Sequence, residues 1–340
     1  MVRVLVALLF LLGATAARAE TPVWQARATA AAETLERLWG TSDGWTASEN
    51  WQRFPITDVL MDYQRRTGDT RWQGKIAAAV RNRAGRYLND DDLWAVIASV
   101  DAWQTDRDPE LLAWAAANYS RIVTDHWDDH CVGGLWWDPK HSYKNAITNE
   151  LLLTASTRLY LATGQEAYRD WALRTWSWFA ASGMIGPDAL VNDGLDAQCH
   201  NNGAPRYTYN QGVMLGGLND LTAITGDPHY RDAALRTALA ATRMLVTPQG
   251  LLTEPSDDLG RDGPMFKGVF AYHLGHLVEA MPDSPERSEL RAWLARNGEA
   301  VWALSAGGTQ PVDGLWRGGS GQTGAAAQAS AVALFLAAGS

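Results

Sequence analysis

The chain has 340 residues and a formal net charge of −9, and this acidic balance argues against a nucleic-acid partner, whose phosphates require clustered Lys and Arg. A neutral or cationic ligand is compatible with this charge. The 17 Trp residues are more than a core of this length needs, and an indole offers sugar rings a flat apolar face, although most of them are expected to line helix contacts.

The N-terminus has the pattern of an export signal. A basic start at Arg3 is followed by the apolar run Val4–Leu12 and by small residues that end at Ala19, where we predict the cleavage. The apolar run is shorter than the roughly 20 residues that span a bilayer, so a retained membrane anchor is the less favoured alternative. We therefore expect a secreted or periplasmic monomer without stable membrane insertion, with a signal peptide at residues 1–19 and a single domain at residues 20–340.

Apolar residues recur with a helical period through nearly the whole mature chain, and alternating strand patterns are scarce. No Gly-rich phosphate loop follows a strand pattern, so a nucleotide-binding fold has no support. The clearest helical stripes span residues 23–38, 111–122, 151–161, 214–224, 233–245, 269–281 and 325–336.

A short turn element recurs between these stripes. In Thr67-Gly68-Asp69, Thr163-Gly164-Gln165 and Thr225-Gly226-Asp227, the Gly suits the left-handed end of one helix, and the next residue suits the cap of the following helix. Such tight connections predict antiparallel helical hairpins, and about a dozen stripes suit six of them. We therefore expect an all-α chain folded as an (α/α)6 barrel, with an open solenoid as the alternative.

The spacing of the hairpins is irregular, whereas a solenoid should have a uniform repeat length, so the irregularity favours the closed barrel. Long inserts between the hairpins are rich in Gly, Asp, Asn and Trp, and loops of this kind often carry function. The inserts span residues 125–144, 192–206, 254–264 and 307–321.

The segment Asn89-Asp90-Asp91-Asp92-Leu93-Trp94 is the strongest candidate for catalysis. On a surface, its three carboxylates would simply cap a helix. The strongly apolar residues that follow indicate instead a buried helix that begins at the mouth of the barrel, where carboxylates need partners or a proton. One protonated and one ionised carboxyl group is the arrangement that glycoside cleavage uses.

The chain contains two cysteines, Cys131 and Cys199, and an even number in an exported protein favours a disulfide. Two alternatives stay open. His130 and His200 adjoin the cysteines and complete a set of zinc ligands, and two free thiols are the other alternative. The spacing matches no known zinc motif, so we prefer the disulfide and expect no metal.

These motifs together resemble glycoside hydrolase family 76, the α-1,6-mannanase family, whose hallmark is an Asp-Asp pair shortly before a Trp-rich helix. The chain departs from the family pattern at Glu150, where Gly is usual, and at Trp94-Ala95, where two Trp are usual. Both departures bear on the shape of the sugar cleft. Further segments that resemble the family follow in order at Gly133–Trp137, Lys144–Asn149, Asn192–Gly194, Tyr207–Gly212 and Phe266–Phe270.

The resemblance implies a retaining endo-hydrolase of α-1,6-linked mannan or manno-oligosaccharides that needs no cofactor. Asp90 is then the nucleophile and Asp91 the general acid/base. If this segment were aligned with the family's Asp-Asp motif one residue earlier or later, the pair would instead be Asn89 with Asp90 or Asp91 with Asp92.

The matching segments also indicate the residues that contact the sugar. Asp193 corresponds to a third acidic residue of the family, although an Asp before Gly also suits a simple turn. The indoles of Trp136 and Trp137 provide either surfaces on which sugar rings stack or a hinge between hairpin and loop. The side chain of Asn210 either bonds to sugar hydroxyls or caps the helix that follows it. The expected substrate-binding residues are Trp94, Trp136, Asn145, Asp193, Tyr209, Asn210 and Gln211.

Other functions are compatible with parts of this pattern. A transglycosylase would use the same catalytic pair, and a non-catalytic glycan-binding protein would usually have lost one of the carboxylates that this chain retains. Sugar epimerases and unsaturated-uronyl hydrolases share the barrel, but the epimerases rely on a His pair that has no counterpart here. Serine hydrolases and zinc proteases are not supported, because neither a Gly-x-Ser-x-Gly nor a His-Glu-x-x-His segment occurs.

Overall fold

A computed structural model describes residues 22–82 and 89–340, so the predicted signal peptide lies outside the described residues. Within those two ranges the chain forms α-helices and one short 3-10 helix, and extended segments pair only as isolated bridges. The predicted all-α class is confirmed. The helices are α1 (22–39), α2 (Arg53–Thr67), α3 (Gln73–Arg81), α4 (Asn89–Asp106), α5 (Pro109–His126), α6 (Ala146–Thr163), α7 (Glu166–Ala181), α8 (Thr208–Thr225), α9 (Pro228–Met244), α10 (Gly263–Ala280), α11 (Pro285–Leu304) and α12 (Ala325–Ala338).

The even-numbered helices form an inner ring. Each packs against the next even-numbered helix along the chain, and α12 packs against α2, which closes the ring. The odd-numbered helices from α3 to α11 lie outside it, each beside an inner helix of the same hairpin. At the seam, Trp24 of α1 stacks on Phe335 of α12. The structure therefore confirms the (α/α)6 barrel, and the solenoid alternative is wrong because the two ends of a solenoid do not meet.

The sequences of the inner helices explain why they lie inside. Every residue of α12 is buried, and a helix that is apolar on all sides must lie within a core. Small residues let these helices approach closely. A Cβ atom on Gly212 of α8 would lie 2.6 Å from the backbone of Phe270 on α10, and one on Gly268 would lie 2.5 Å from the Cα of Ser330 on α12.

The predicted turn element connects the two helices within a hairpin, as expected. Gly68, Gly164 and Gly226 end α2, α6 and α8 with φ angles of 73°, 67° and 72°, in the left-handed region that Gly adopts without a steric penalty. The carboxylate of Asp227 accepts a hydrogen bond from the backbone N–H of His229 and caps α9.

The inner helices begin at one end of the barrel, where long loops converge, and their other ends share a partly buried ion network. Arg158 of α6 contacts Asp101 of α4 at 3.0 Å and Asp220 of α8 at 2.8 Å. Arg158 therefore ties three inner helices together. In the described part of the chain, no helix has both the length and the apolar character that crossing a bilayer would take.

Candidate active site

A cleft of about 740 Å³ opens where the inner helices begin. This volume falls within the range of roughly 300–1,000 Å³ that is common for ligand pockets. Among the described lining residues there is no Lys, Arg or His. The cleft is therefore strongly negative and suits a neutral or cationic ligand. Its carboxyl groups belong to Glu49, Asp90, Asp91, Asp193, Glu254, Asp258 and Asp262.

Asp90 lies in the first turn of α4 and is held from two sides. Its Oδ1 accepts a hydrogen bond from the backbone N–H of Asp91, and its Oδ2 accepts one from the indole Nε1 of Trp137, each at 3.0 Å. Burial raises the pKa of Asp90 to about 7, although these two hydrogen bonds oppose the shift and the nearby Asp262 carboxylate adds to it. The two hydrogen bonds therefore favour the ionised form of Asp90, in surroundings that otherwise favour its protonation.

The neighbours of Asp90 point in different directions. Asp91 lines the same cleft. Asp92 turns outward to Arg121 of α5, at 2.6 Å. Asn89 is buried, and its amide donates to the backbone carbonyl of Trp136. The structure thus brings Asp90 and Asp91 together in the cleft, and it does not place Asn89 or Asp92 there.

Asp193 supplies a further carboxyl group to the cleft. Its Oδ2 accepts a hydrogen bond from the hydroxyl of Tyr143 at 2.7 Å. Burial raises the pKa of Asp193, while Tyr143 and the amide of Asn210 oppose the shift. Its backbone carbonyl accepts from the N–H of Ala146, which fixes the loop to the start of α6. Asp193 is therefore more than a turn-forming residue.

Aromatic side chains form the walls of the cleft. The rings of Tyr209 and Phe266 lie parallel, with centroids 4.0 Å apart, and Tyr207 packs against Phe266 at 5.5 Å. Trp51 stacks on Trp94 with a centroid separation of 5.7 Å. Surfaces of this kind suit the C–H faces of sugar rings.

The two adjacent tryptophans of the 127–145 loop have opposite placements. Trp137 lines the cleft. Trp136, which we expected to bind the sugar, is not a lining residue, because its ring is stacked between His130 and His141. Its Nε1 donates to Asp128, so Trp136 holds the loop together. This is a correction to the expected substrate-binding set.

Two further expected contacts also lie behind the cleft wall. The fully buried amide of Gln211 bonds to the backbone N–H and carbonyl of Val191 and to the carbonyl of Tyr207, because the loop polar groups need partners there. Asn210 is fully buried beside Asp193 and does not line the cleft. The side chain of Gln211 therefore supports the loop that carries Asp193, and the amide of Asn210 faces Asp193 from behind the cleft wall.

Asn145, in contrast, combines a place in the cleft with a structural role. It lines the cleft, and its side chain accepts a hydrogen bond from the backbone N–H of Thr148, which caps α6. Of the expected set, Trp94, Asn145, Asp193 and Tyr209 therefore share the cleft with the catalytic candidates.

A disulfide joins two loops beside the cleft. Cys131 of the 127–145 loop is bonded to Cys199 of the 182–207 loop, with the two Cα atoms 5.3 Å apart. Nε2 of His130 lies 3.7 Å from the sulfur of Cys199. Because both sulfurs are in the disulfide, they are not the free thiolates that the zinc alternative requires.

Several lining residues were not singled out from the sequence. Trp51 donates from its indole to Asp262 at 2.6 Å, and both lie in the loops before α2 and α10. Tyr143 and Glu254 likewise come from loops. The sequence signal that marks Tyr143, Glu254 and Asp262 is the long inserts in which they lie, whereas no sequence signal distinguishes Trp51 from the other tryptophans.

Comparison with known proteins adds to this geometry. The sequence model of the protein family described as glycosyl hydrolase family 76 matches residues 14–339 of this chain. The mannan endo-1,6-alpha-mannosidase DCW1 of Saccharomyces cerevisiae is 27% identical over 291 residues, which cover 76% of this chain. This chain spans 64% of the length of that relative.

Solved structures share the fold. An inactive variant of an alpha-1,6-mannanase of Salegentibacter sp. HEL1_6, in complex with alpha-1,6-mannotriose, is 23% identical with a TM-score of 0.83, covering 93% of this chain and 99% of that one. Dfg5 from Chaetomium thermophilum, in complex with glucosamine, is 21% identical with a TM-score of 0.73, covering 85% of this chain and 80% of that one. At these identities the likeness shows the barrel fold.

Proposed function

The chain belongs to glycosyl hydrolase family 76, and on that premise we propose that it is a retaining endo-α-1,6-mannanase that hydrolyses α-1,6-linked mannan or manno-oligosaccharides. The observation that carries the proposal is the pair of adjacent carboxyl groups, Asp90 and Asp91, in a cleft with aromatic walls. The relative from Saccharomyces cerevisiae is named for this linkage, which supports the substrate class.

In the proposed reaction, Asp90 attacks the anomeric carbon while Asp91 donates a proton to the departing glycosidic oxygen. The C–O bond to the leaving sugar breaks, and a covalent glycosyl ester forms on Asp90. Asp91 then takes a proton from water, whose oxygen attacks the same carbon and releases the sugar with its original anomeric configuration. The hydrogen bond from Trp137 supports this role for Asp90, because it favours the ionised form.

Asp193 has a separate proposed role. Its carboxyl group lines the cleft from the loop that joins α7 and α8, and Tyr143 orients it. We expect it to accept hydrogen bonds from sugar hydroxyls beside the cleaved bond. The aromatic pair Tyr209 and Phe266 and the indoles of Trp51, Trp94 and Trp137 supply the surface on which the rings lie.

The remaining expectations belong to the same proposal. We propose that the chain is exported with cleavage after Ala19 and acts as a monomeric single domain from residue 20 onward. A disulfide between Cys131 and Cys199 agrees with an oxidising compartment. No cofactor is required, because the proposed steps use only the two carboxyl groups and water.

The direct test is incubation of the purified chain with unbranched α-1,6-mannan. The expected products are manno-oligosaccharides, and proton NMR of the first products should show the α-anomer before mutarotation. First products with the β-anomer would contradict the retaining mechanism. Activity on another glycan but none on α-1,6-mannan would contradict the proposed substrate. Longer products with an added oligosaccharide acceptor would show transglycosylation in place of hydrolysis.

A further inference from the structure

Glu150 of α6 is a buried carboxyl group that the proposed reaction does not use. Its side chain is 1% exposed, and neither carboxyl oxygen has a hydrogen-bond partner among the residues that the structure describes. Buried polar groups are normally satisfied, and an unpaired buried carboxylate is far more costly than a neutral acid. Such a group therefore calls for an explanation.

The packing of α6 on α8 gives the position of Glu150. Thr157 of α6 bonds to Asp220 of α8 at 3.0 Å, and Leu153 lies against Gly217. Glu150 continues this stripe by one turn toward the cleft. Side chains on a helix lean toward its N-terminus, and α6 begins at the cleft, so the carboxyl group of Glu150 is directed toward the back of the sugar site.

Asp193 of the cleft is attached to the first turn of α6, because its backbone carbonyl accepts a hydrogen bond from the N–H of Ala146, one turn before Glu150. The charge of Asp193, on the 182–207 loop, raises the pKa of Glu150 in addition to the larger effect of burial. The charge of Glu150 in turn contributes to the raised pKa of Tyr209 on α8. In the described part of the chain, no cation lowers the pKa of Glu150.

The proximity of Glu150 to Asp193 limits the charge that this end of the cleft can carry. Two carboxyl groups that share a buried environment do not both ionise readily, since like charges repel strongly where water is excluded. Tyr143 donates a hydrogen bond to Asp193, whereas Glu150 has no described donor. The negative charge is therefore best placed on Asp193, and the proton on Glu150.

We propose that Glu150 is a positioning residue for Asp193, a neutral carboxyl group behind the cleft that keeps a second negative charge from forming beside Asp193. The inference rests on the proposed function of the cleft. It also gives a reason for the departure from the family pattern at this position, because a Gly would place no acid behind Asp193.

The kinetic test compares the wild-type chain with Glu150→Gln, which replaces the neutral acid by a neutral amide of similar shape. On the acidic side of the plot of kcat/KM against pH, the value of Glu150→Gln for α-1,6-mannan should stay within about twofold of the wild-type value. On the alkaline side the wild-type activity should fall when Glu150 loses its proton, whereas the decline in Glu150→Gln should move upward by about one pH unit or more. Glu166→Gln, which changes an exposed carboxylate of α7, is the matched control and should reproduce the wild-type profile.

A second readout does not depend on catalysis. Because the folded state raises the pKa of Glu150 above its value in the unfolded chain, the stabilisation is complete below that ordinary value and is lost as the pH rises toward the folded value. The melting temperature of the wild-type chain should therefore fall more steeply with rising pH than that of Glu150→Gln. This comparison decides the inference even if the protein does not cleave mannan.

Superimposable pH profiles and melting curves for the wild-type chain and Glu150→Gln would overturn the inference. So would a folded Glu150→Gln variant that is inactive at every pH, because the carboxyl group would then act directly. If Glu150→Gln does not fold, Glu150→Gly introduces the residue usual in the family and should show the same flattened dependence of melting temperature on pH.

Discussion

The indole Nε1 of Trp137 donates a hydrogen bond to Oδ2 of Asp90 over 3.0 Å, so the 127–145 loop favours the ionised form of a carboxyl group in the first turn of α4. The loop is itself anchored by Lys144, which is almost fully buried and donates to Asp128 and to the carbonyls of His130 and Gly133. The proposed nucleophile thus depends on a loop that is distant from it in sequence.

Trp137→Phe should shift the acidic limb of the activity profile. The hydrogen bond from Trp137 favours the ionised form of Asp90, so its loss should raise the pKa of Asp90 above the wild-type value of about 7. A smaller fraction of Asp90 is then ionised at pH 6, and the limb of kcat/KM moves to higher pH. Trp103→Phe, at the far end of α4, is the control, and an unmoved limb in Trp137→Phe would contradict the assignment of Asp90.

Asp90→Asn should remove nearly all turnover on every substrate, because an amide cannot form the glycosyl ester. We expect a loss in kcat on the order of 10⁴-fold, with binding of manno-oligosaccharides retained. Calorimetry with mannotriose and rate measurements on the same preparation separate the two effects. A variant that keeps more than a few per cent of wild-type turnover is incompatible with a nucleophilic Asp90.

Asp91→Asn should affect substrates according to their leaving groups. A poor leaving group needs the proton from Asp91, whereas an activated aryl mannoside departs with little protonation and should keep a faster first step. Added azide should accelerate the second step, because it attacks without a general base, and the product should be a mannosyl azide. Equal losses on both substrates, without azide rescue, would argue against Asp91 as the acid/base.

Asp92→Asn should have little effect on activity, because Asp92 faces Arg121 on the outer side of α4. The pair is partly exposed, and exposed ion pairs contribute only about 0.2–1 kcal/mol to the free energy of unfolding. Initial rates on mannan should stay within about twofold of wild type. An inactive Asp92→Asn with an active Asp90→Asn would instead identify Asp91 and Asp92 as the pair.

Replacement of Cys131 and Cys199 by Ser should lower the free energy of unfolding by about 2–4 kcal/mol, because the bond closes a long loop in the unfolded chain. Chemical denaturation of the wild-type and double-variant proteins measures the difference. Thiol titration of the denatured, unreduced wild-type chain should find no free thiol. Two reactive thiols, or zinc by elemental analysis, would favour the alternatives to the disulfide.

The helical barrel could be predicted because its signals are local. Apolar stripes and the Gly positions at the ends of α2, α6 and α8 depend on residues close in sequence. The position of the Asp90–Asp92 cluster at the mouth of the barrel was also predictable, because strongly apolar residues follow it. The choice of Asp90 with Asp91 within the cluster came from the resemblance to the family, and both line the cleft.

The loop side chains could not be placed from the sequence alone. Trp136 and Trp137 are chemically identical neighbours in an extended segment, so their side chains point to opposite sides, and only the path of the loop determines which one meets the cleft. Trp51 and Asp262 are 211 residues apart and meet only because the ring closes. Gln211 looked like a sugar ligand, but its amide serves the backbone of Val191.

The contact between α1 and α12 determines on which face of the barrel the two ends of the described chain lie. Trp24 stacks on Phe335, and Gln25 donates to the carbonyl of Arg66 near the end of α2, so both ends of the described chain lie on the face opposite the cleft. Immobilisation or fusion through either end would therefore turn the cleft away from the support. A long polymer could then be engaged along its length without passing between the protein and the surface that carries it.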